Sequence, residues 1–320
     1  MVPGMVTAFT RLEHEVIIQK NAGANSFISD DEFVKAGASI VDDAKSLFAG
    51  ADVIFKVQPP STDEVKMMKD GAIYMGYLAP LSNHETLNAM NAKKVTSFAT
   101  EFIPRISRAQ SMDTLSSMAT LAGYKAVLIS ANHLGKIFPL LMTAAGSIPP
   151  ATTFILGAGV AGLQAIATAK RLGSRVEAFD PRPAVEEQVK SLGATFVHME
   201  VPEENVETTG GYAKQQSDAF LIAEQEAIGA RLPKVDVIIT TAQIFGKAAP
   251  ILITEEMVKM MRPGSVIVDL AIEGGGNCEL SEAGKTVVKH GVTIVGTLNL
   301  PATLPINGSG MFSKNLLNLF

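Results

Sequence analysis

The stretch ILGAGVAGLQAIATAKRLGSRVEAFDPR, residues 155–182, carries Gly157, Gly159 and Gly162 in the pattern G-x-G-x-x-G. Three glycines at that spacing say little when they stand alone. Here an apolar, β-branched run, TTFIL (152–156), leads into them. An Ala-rich run, Val160 to Arg171, leads out with helical character. A further strand-like run, SRVEAF (174–179), then ends at Asp180, 23 positions after Gly157. Strand, glycine turn, helix, strand and acid in that order are the signature of a dinucleotide-binding βαβ unit.

The chemistry gives each position a reason. Gly157 permits the tight turn, Gly159 leaves room for a pyrophosphate to reach the backbone, and Gly162 lets helix and strand pack closely. Ala158 and Val160 complete the candidate cradle, and the free N–H groups at the start of the helix favour phosphate charge. Asp180 is positioned to accept hydrogen bonds from adenine-ribose hydroxyls and to repel a 2'-phosphate, which favours NAD(H) over NADP(H). Arg182, close by, tempers that preference. The competing reading is a Gly-rich turn in an α/β domain with no ligand.

Outward from this unit, strand-like runs continue at VDVIITT (235–241), SVIVDLA (265–271) and VTIVG (292–296). In a doubly wound sheet the carboxyl ends of the strands line the ligand crevice. The segments that follow such strands are therefore candidates for the nicotinamide half: Ala242, Glu273 in DLAIEGGGNCE (269–279), and Leu298 in GTLNLP (296–301). The alternative for each is a plain strand-end turn. Residues 200–218 are polar and Gly-containing and read as a long surface loop.

The first third has the same rhythm. EVIIQ (15–19), ADVIFKV (51–57), AIYMGYL (72–78) and KVTSFAT (94–100) read as strands. DDEFVKAG, TDEVKMMKDG and SNHETLNAMNAK between them open with capping-type residues and carry apolar residues at helical spacing. Such alternation argues an α/β chain with two Rossmann-like parallel-sheet domains. The divisions expected are 1–125, 126–298 and 299–320. Residues 111–145 read as mostly helical with a break near 132–136, and GSIPP (146–150) as a turn or domain junction. The tail from Asn299 to Phe320 is apolar and helix-like. It either packs on the first domain or caps the second.

The 320 residues carry a net charge of -5 and one cysteine, Cys278. Mild acidity and the lack of a Lys/Arg run argue against nucleic-acid binding. One cysteine cannot form an internal disulfide. Apolar content is 47%, but prolines and glycines interrupt its longest stretch, so no membrane span is expected. The opening residues do not read as a signal peptide. None of the five histidines has metal-ligand spacing with another His, Cys or acid, so no metal is expected. His84, in a polar loop, is the loose candidate for a proton donor, and an exposed residue at a helix start is the plainer reading. A cofactor site stands without obvious acid–base machinery.

One polar cluster remains. PRISRAQSMDTLSS (104–117) sets Arg105, Arg108, Gln110, Asp113 and several hydroxyls between apolar segments. By composition alone, helix capping accounts for it. Taken as PRISRAQSMDTLSSMATLAGYK (104–125) together with 155–182, however, the chain resembles the alanine dehydrogenase and proton-translocating NAD(P) transhydrogenase family over nearly all of its length. It is most similar to the NAD(H)-binding component of the transhydrogenase, its alpha subunit or domain I. The resemblance implies that this chain binds NAD(H), that a separate domain III binds NADP(H), and that a membrane domain II (beta subunit) translocates protons. Hydride then passes directly between two nicotinamides, so no carbonyl oxygen needs a proton. Arg105, Gln110 and Asp113 become the catalytic set, with Ser116 beside them, all acting by positioning. Gly211 and Tyr212, in GGYAK (210–214), become the tip of a loop that closes over the nucleotide.

The resemblance also implies a homodimer, held at the cytoplasmic or matrix face of a membrane through its partners. FKVQPP (55–60) carries Gln58 where alanine dehydrogenases have a lysine-plus-glutamate pattern, and AIYMGYLAPLSN (72–83) lacks their histidine. Alanine deamination is thereby disfavoured. Family members also begin with one more strand and continue beyond KNLLNLF, so the first domain is expected to lack its first strand. The alternatives are a free-standing amino-acid dehydrogenase and an inactive, truncated nucleotide-binding homologue.

Overall fold

The computed structural model describes residues 1–198, 217–244 and 246–320. The chain divides into two compact units, Met1–Met118 with Ala302–Phe320, and Ala119–Pro301. Both are α/β.

In the first unit the order is α1 (Pro3–Arg11), β1 (Ile17–Gln19), α2 (Asp30–Lys35), β2 (Ser39–Val41), α3 (Ala44–Gly50), β3 (Val53–Lys56), α4 (Thr62–Met67), β4 (Ile73–Gly76), α5 (His84–Ala92) and β5 (Thr96–Ala99). Local chemistry sets the helix starts. Ser29 and Glu32 form a capping box at α2, Ser61 and Glu64 repeat it at α4, and the Asp43 side chain caps α3. Each such cap contributes about 1 kcal/mol. Parallel pairing joins β3, β4 and β5 in one sheet and β1 with β2 in another. Residues of β1 and β3 line a common cavity of about 750 Å³. Two apolar clusters hold the unit. One joins Met5, Val6, Phe9, Phe33, Phe312 and Leu316, and the other joins Phe48, Ile54, Val65, Met68, Tyr74 and Met90.

α6 (Thr114–His133) follows, and then β6 (Leu141–Thr143) and β7 (Gly146–Ile148), paired as an antiparallel hairpin. The helical reading of 111–145 is thus corrected at both ends. A 3₁₀ turn, Ser107–Met112, precedes the helix, and a hairpin follows it. Pro149 and Pro150 stop the hairpin's second strand instead of making its turn.

The dinucleotide-type unit runs β8 (Thr152–Leu156), α7 (Val160–Arg171), β9 (Arg175–Phe179), α8 (Glu186–Ser191), β10 (Thr195–Phe196), α9 (Asp218–Gly229), β11 (Val237–Thr240), α10 (Glu255–Lys259), β12 (Val266–Asp269), β13 (Thr286–Lys289) and β14 (Val292–Val295). Its seven strands lie in the order β10-β9-β8-β11-β12-β14-β13, all parallel except β13. The antiparallel edge comes from a two-residue turn in which His290 and Gly291 both take positive φ, 51° and 78°. That is the geometry a tight hairpin needs. β11 and β12 are buried on both faces, which explains why they read as unbroken apolar runs rather than alternating ones. Each of their buried Val and Ile side chains contributes roughly 1.5–3 kcal/mol. The last helix, α11 (Pro305–Leu319), belongs to the first unit, where Phe312 and Leu316 enter its core.

Candidate functional site

The strand order of the second unit reverses between β8 and β11, and both carboxyl ends open at that point. Ligands of doubly wound sheets bind in that crevice. Gly157 follows β8 at φ 97°, and a Cβ there would meet Thr241 Oγ1 at 2.5 Å. The Thr241 hydroxyl donates to the Gly157 carbonyl at 3.0 Å, so the two loops touch. A Cβ on Gly162 would fall 1.9 Å from the Gly157 carbonyl oxygen, which forces glycine where helix meets turn. A Cβ on Gly159 would meet nothing within 4 Å among the described residues. One face of the turn is therefore open, beside the first amides of α7, which no side chain caps among the described residues. A pyrophosphate fits this arrangement: space at Gly159 and unshared N–H donors at a twelve-residue helix.

Asp180 lies at the end of β9, 5% exposed. Its Oδ2 accepts the Ala158 N–H at 2.8 Å, and Oδ1 accepts the Arg182 N–H at 2.9 Å. The Arg182 guanidinium forks onto the same carboxylate, Nε to Oδ1 and Nη2 to Oδ2, each at 2.9 Å. The acid chosen from sequence for the ribose therefore also fixes the glycine turn, and the neighbouring arginine offsets part of its charge. Ribose hydroxyls have to be received by a carboxylate already engaged on both oxygens.

The loops after β11, β12 and β14 are held by residues that motif spacing did not single out. The Asp269 carboxylate, 1% exposed, accepts from the amides of Ala271, Asn277 and Cys278 and from the hydroxyls of Thr240 and Ser281. Asn277, fully buried, accepts the Ala242 N–H and donates to the carbonyls of Ala242 and Pro250. Glu273 accepts the Asn299 N–H at 2.6 Å, which joins the DLAIEGGG and GTLNLP segments. Ala242, Glu273 and Leu298 thus sit on loops tied to one another at the crevice end of the sheet. An acid closing a buried strand, followed by a glycine run that exposes amides, is the signal that marks Asp269 in the sequence. Burial pushes the Cys278 thiol up to about 11, so it stays protonated at neutral pH.

In the first unit, Asp113 precedes α6 and caps it. Its Oδ1 accepts the Ser116 N–H at 2.9 Å and its Oδ2 accepts the Ser116 hydroxyl at 2.6 Å. The capping reading of the polar cluster therefore holds for these two residues, with the helix beginning at Thr114 rather than near Ser111. Arg105 and Gln110 are exposed on the segment before the cap. The Ser111 carbonyl accepts the side-chain amides of Asn315 and Asn318 from α11, at 2.8 and 3.0 Å. His84 is the exposed first residue of α5. Gly211, Tyr212 and nearly all of the long loop at 200–218 lie outside the described residues. Among the described residues no group of His, Cys, Asp and Glu is arranged to hold a metal ion, and no helix is long and apolar enough to cross a membrane.

Comparison with known proteins places these features in one family. The profile "Alanine dehydrogenase/PNT, N-terminal domain" matches residues 1–122, and "Alanine dehydrogenase/PNT, C-terminal domain" matches 126–320. An NAD(P) transhydrogenase subunit alpha polypeptide of Rhodospirillum rubrum is 51% identical over 322 aligned residues, covering 99% of this chain and 84% of that protein. Alanine dehydrogenase of Methanococcus maripaludis is 32% identical, with 95% and 78% covered. The crystal structure of transhydrogenase from Sinorhizobium meliloti superposes with a TM-score of 0.88 at 43% identity, covering 99% of this chain and 87% of that one.

Proposed function

Because the chain belongs to the alanine dehydrogenase/PNT family through both of its parts, we propose that it is the NAD(H)-binding component of a proton-translocating NAD(P) transhydrogenase. The observation that carries this reading is the open glycine turn at the switch point of the sheet, in a chain more similar to the transhydrogenase subunit than to alanine dehydrogenase. NAD(H), when bound, accepts or supplies the hydride.

The protein's role is binding and placement. The amides at the start of α7 hold the pyrophosphate, and Asp180 receives the adenosine ribose. The loops carrying Ala242, Glu273 and Leu298 border the crevice end of the sheet and take the nicotinamide half. Arg105, Gln110 and Asp113, with Ser116, are the positioning set for hydride transfer. Those loops of the second unit carry no histidine, Cys278 holds its proton, and Glu273 binds a backbone amide. Such a site suits transfer between two carbon centres better than reduction of a carbonyl, which calls for a proton donor.

The partners follow from the same reading: an NADP(H)-binding domain III and a membrane domain II, with this chain held peripherally at the cytoplasmic or matrix face. A homodimer is supported by the β6–β7 hairpin, where Leu140, Leu141, Met142 and Ile148 are exposed, Met142 at 76%. Apolar side chains gathered on an exposed hairpin favour burial against a second protein surface.

The test is reconstitution of the chain with an NADP(H)-binding domain III protein, following hydride transfer from NADPH to an NAD analogue. Transfer without added alanine supports the proposal. Tight NADH binding with no transfer overturns it, and alanine-dependent NADH formation replaces it with amino-acid dehydrogenation.

A further inference from the structure

α9 turns Phe220, Glu224 and Ile228 inward at four-residue spacing. Ile228 packs with Phe154, Leu156 and Phe179 of β8 and β9. Glu224 interrupts this apolar stripe. It is 3% exposed, and among the described residues its Oε2 has no hydrogen-bond partner. A carboxyl left so is costly, and an apolar residue would serve packing better. Burial first, and the charge of Asp180 second, push the Glu224 carboxyl up to about 7.

The charges on the surrounding elements are otherwise matched or remote. β8 and β11 carry none. On β9, Glu177 pairs with Arg231 at 2.6 Å, while Arg175 is exposed at the strand's start. Arg182 is engaged with Asp180. On α10, Glu255, Glu256 and Lys259 pair with one another and with His290. On α9 itself, Asp218 and Glu226 lie off the inward stripe. Among the described residues, Asp180 is the charge that bears on Glu224.

We propose that Glu224 is a specificity-determining residue, a second acid alongside Asp180 whose ionisation strengthens the rejection of a 2'-phosphorylated adenosine ribose. The inference rests on the NAD(H) reading of the glycine turn. Asp180 alone discriminates less than a bare carboxylate would, because the Arg182 guanidinium forks onto it and offsets part of its charge. Protonated, Glu224 adds no charge. Ionised, it adds a second negative charge in surroundings where Coulomb forces are several-fold stronger than in water. Rejection of a 2'-phosphate therefore rises across neutral pH.

The test uses the full chain and nicotinamide fluorescence. Dissociation constants for NADH and NADPH are measured at pH 6 and pH 8 for the native protein and Glu224→Gln. The 2'-phosphate itself titrates in this range, equally with both proteins, so the difference between them is the readout. The NADPH-to-NADH ratio of Kd should rise about five-fold or more between the two pH values beyond the rise in the variant. Equal pH dependence in both proteins overturns the proposal. Failure of the native chain to bind NADH at either pH overturns the NAD(H) reading instead. Glu224→Met, which continues the apolar stripe, carries the same comparison if the Gln variant does not fold. A readout free of nucleotide is the carboxyl ¹³C titration of Glu224: its midpoint should fall in Asp180→Asn, and an unmoved midpoint overturns the coupling.

Discussion

Asp269 accepts hydrogen bonds from three backbone amides and two hydroxyls. Truncating its side chain to a methyl group removes the carboxylate and strands all five donors in a buried place. Asp269→Ala should cost about 3–5 kcal/mol in urea unfolding, at the high end for single substitutions because several desolvation penalties fall together. An effect below about 1 kcal/mol would mean that water reaches the loop. Gln110 differs in kind, being exposed and outside the packed core. Gln110→Asn shortens the side chain by one methylene and keeps its amide. If its role is placement, stopped-flow hydride transfer slows by about ten-fold or more, while NADH affinity shifts much less. Equal losses in both would remove Gln110 from the catalytic set.

The 107–112 segment depends on residues 204 and 207 positions further along the sequence. Asn315 and Asn318 of α11 donate to the Ser111 carbonyl. Changing both to alanine should leave the second unit's amides protected and raise hydrogen exchange at 107–112, with about 1–3 kcal/mol lost locally. Unchanged exchange there would show that the carbonyl needs neither partner. Such a tie is invisible in sequence, because two asparagines in an apolar helix read as surface residues. What could be read was the periodic portion. β8, α7 and β9 stand where 152–156, 160–171 and 174–179 pointed, because β-branched runs, an Ala-rich run and a glycine turn each favour one local structure. The strands β2, β6, β7, β10 and β13 escaped, each being two to four residues long and dependent on its neighbours for definition. At the site, the glycines and Asp180 were legible from spacing. The nearness of Arg182 to Asp180 was legible too, but the hub at Asp269 depends on contacts that no local pattern encodes.

For the whole molecule, self-association should trace to the hairpin. Met142→Asp places a charge on a 76% exposed apolar side chain and costs nothing in a monomer's core. Light scattering should report a dimer for the native chain and half that mass for the variant, at unchanged thermal stability of the monomer's own fold. A dimer that survives the substitution places the interface elsewhere. A different association follows from the first unit. Among the described residues β1 pairs on one side only, with β2, and β3 on one side only, with β4, although both line the same cavity. Each leaves a row of amide and carbonyl groups able to pair with another chain. Folding of one chain is first order in protein, whereas edge-to-edge pairing is second order. The recovered yield after dilution from denaturant should therefore fall as protein concentration rises, with the loss in the first unit's amide signals, so the refolding of this protein is governed by how crowded it is as well as by how stable it is.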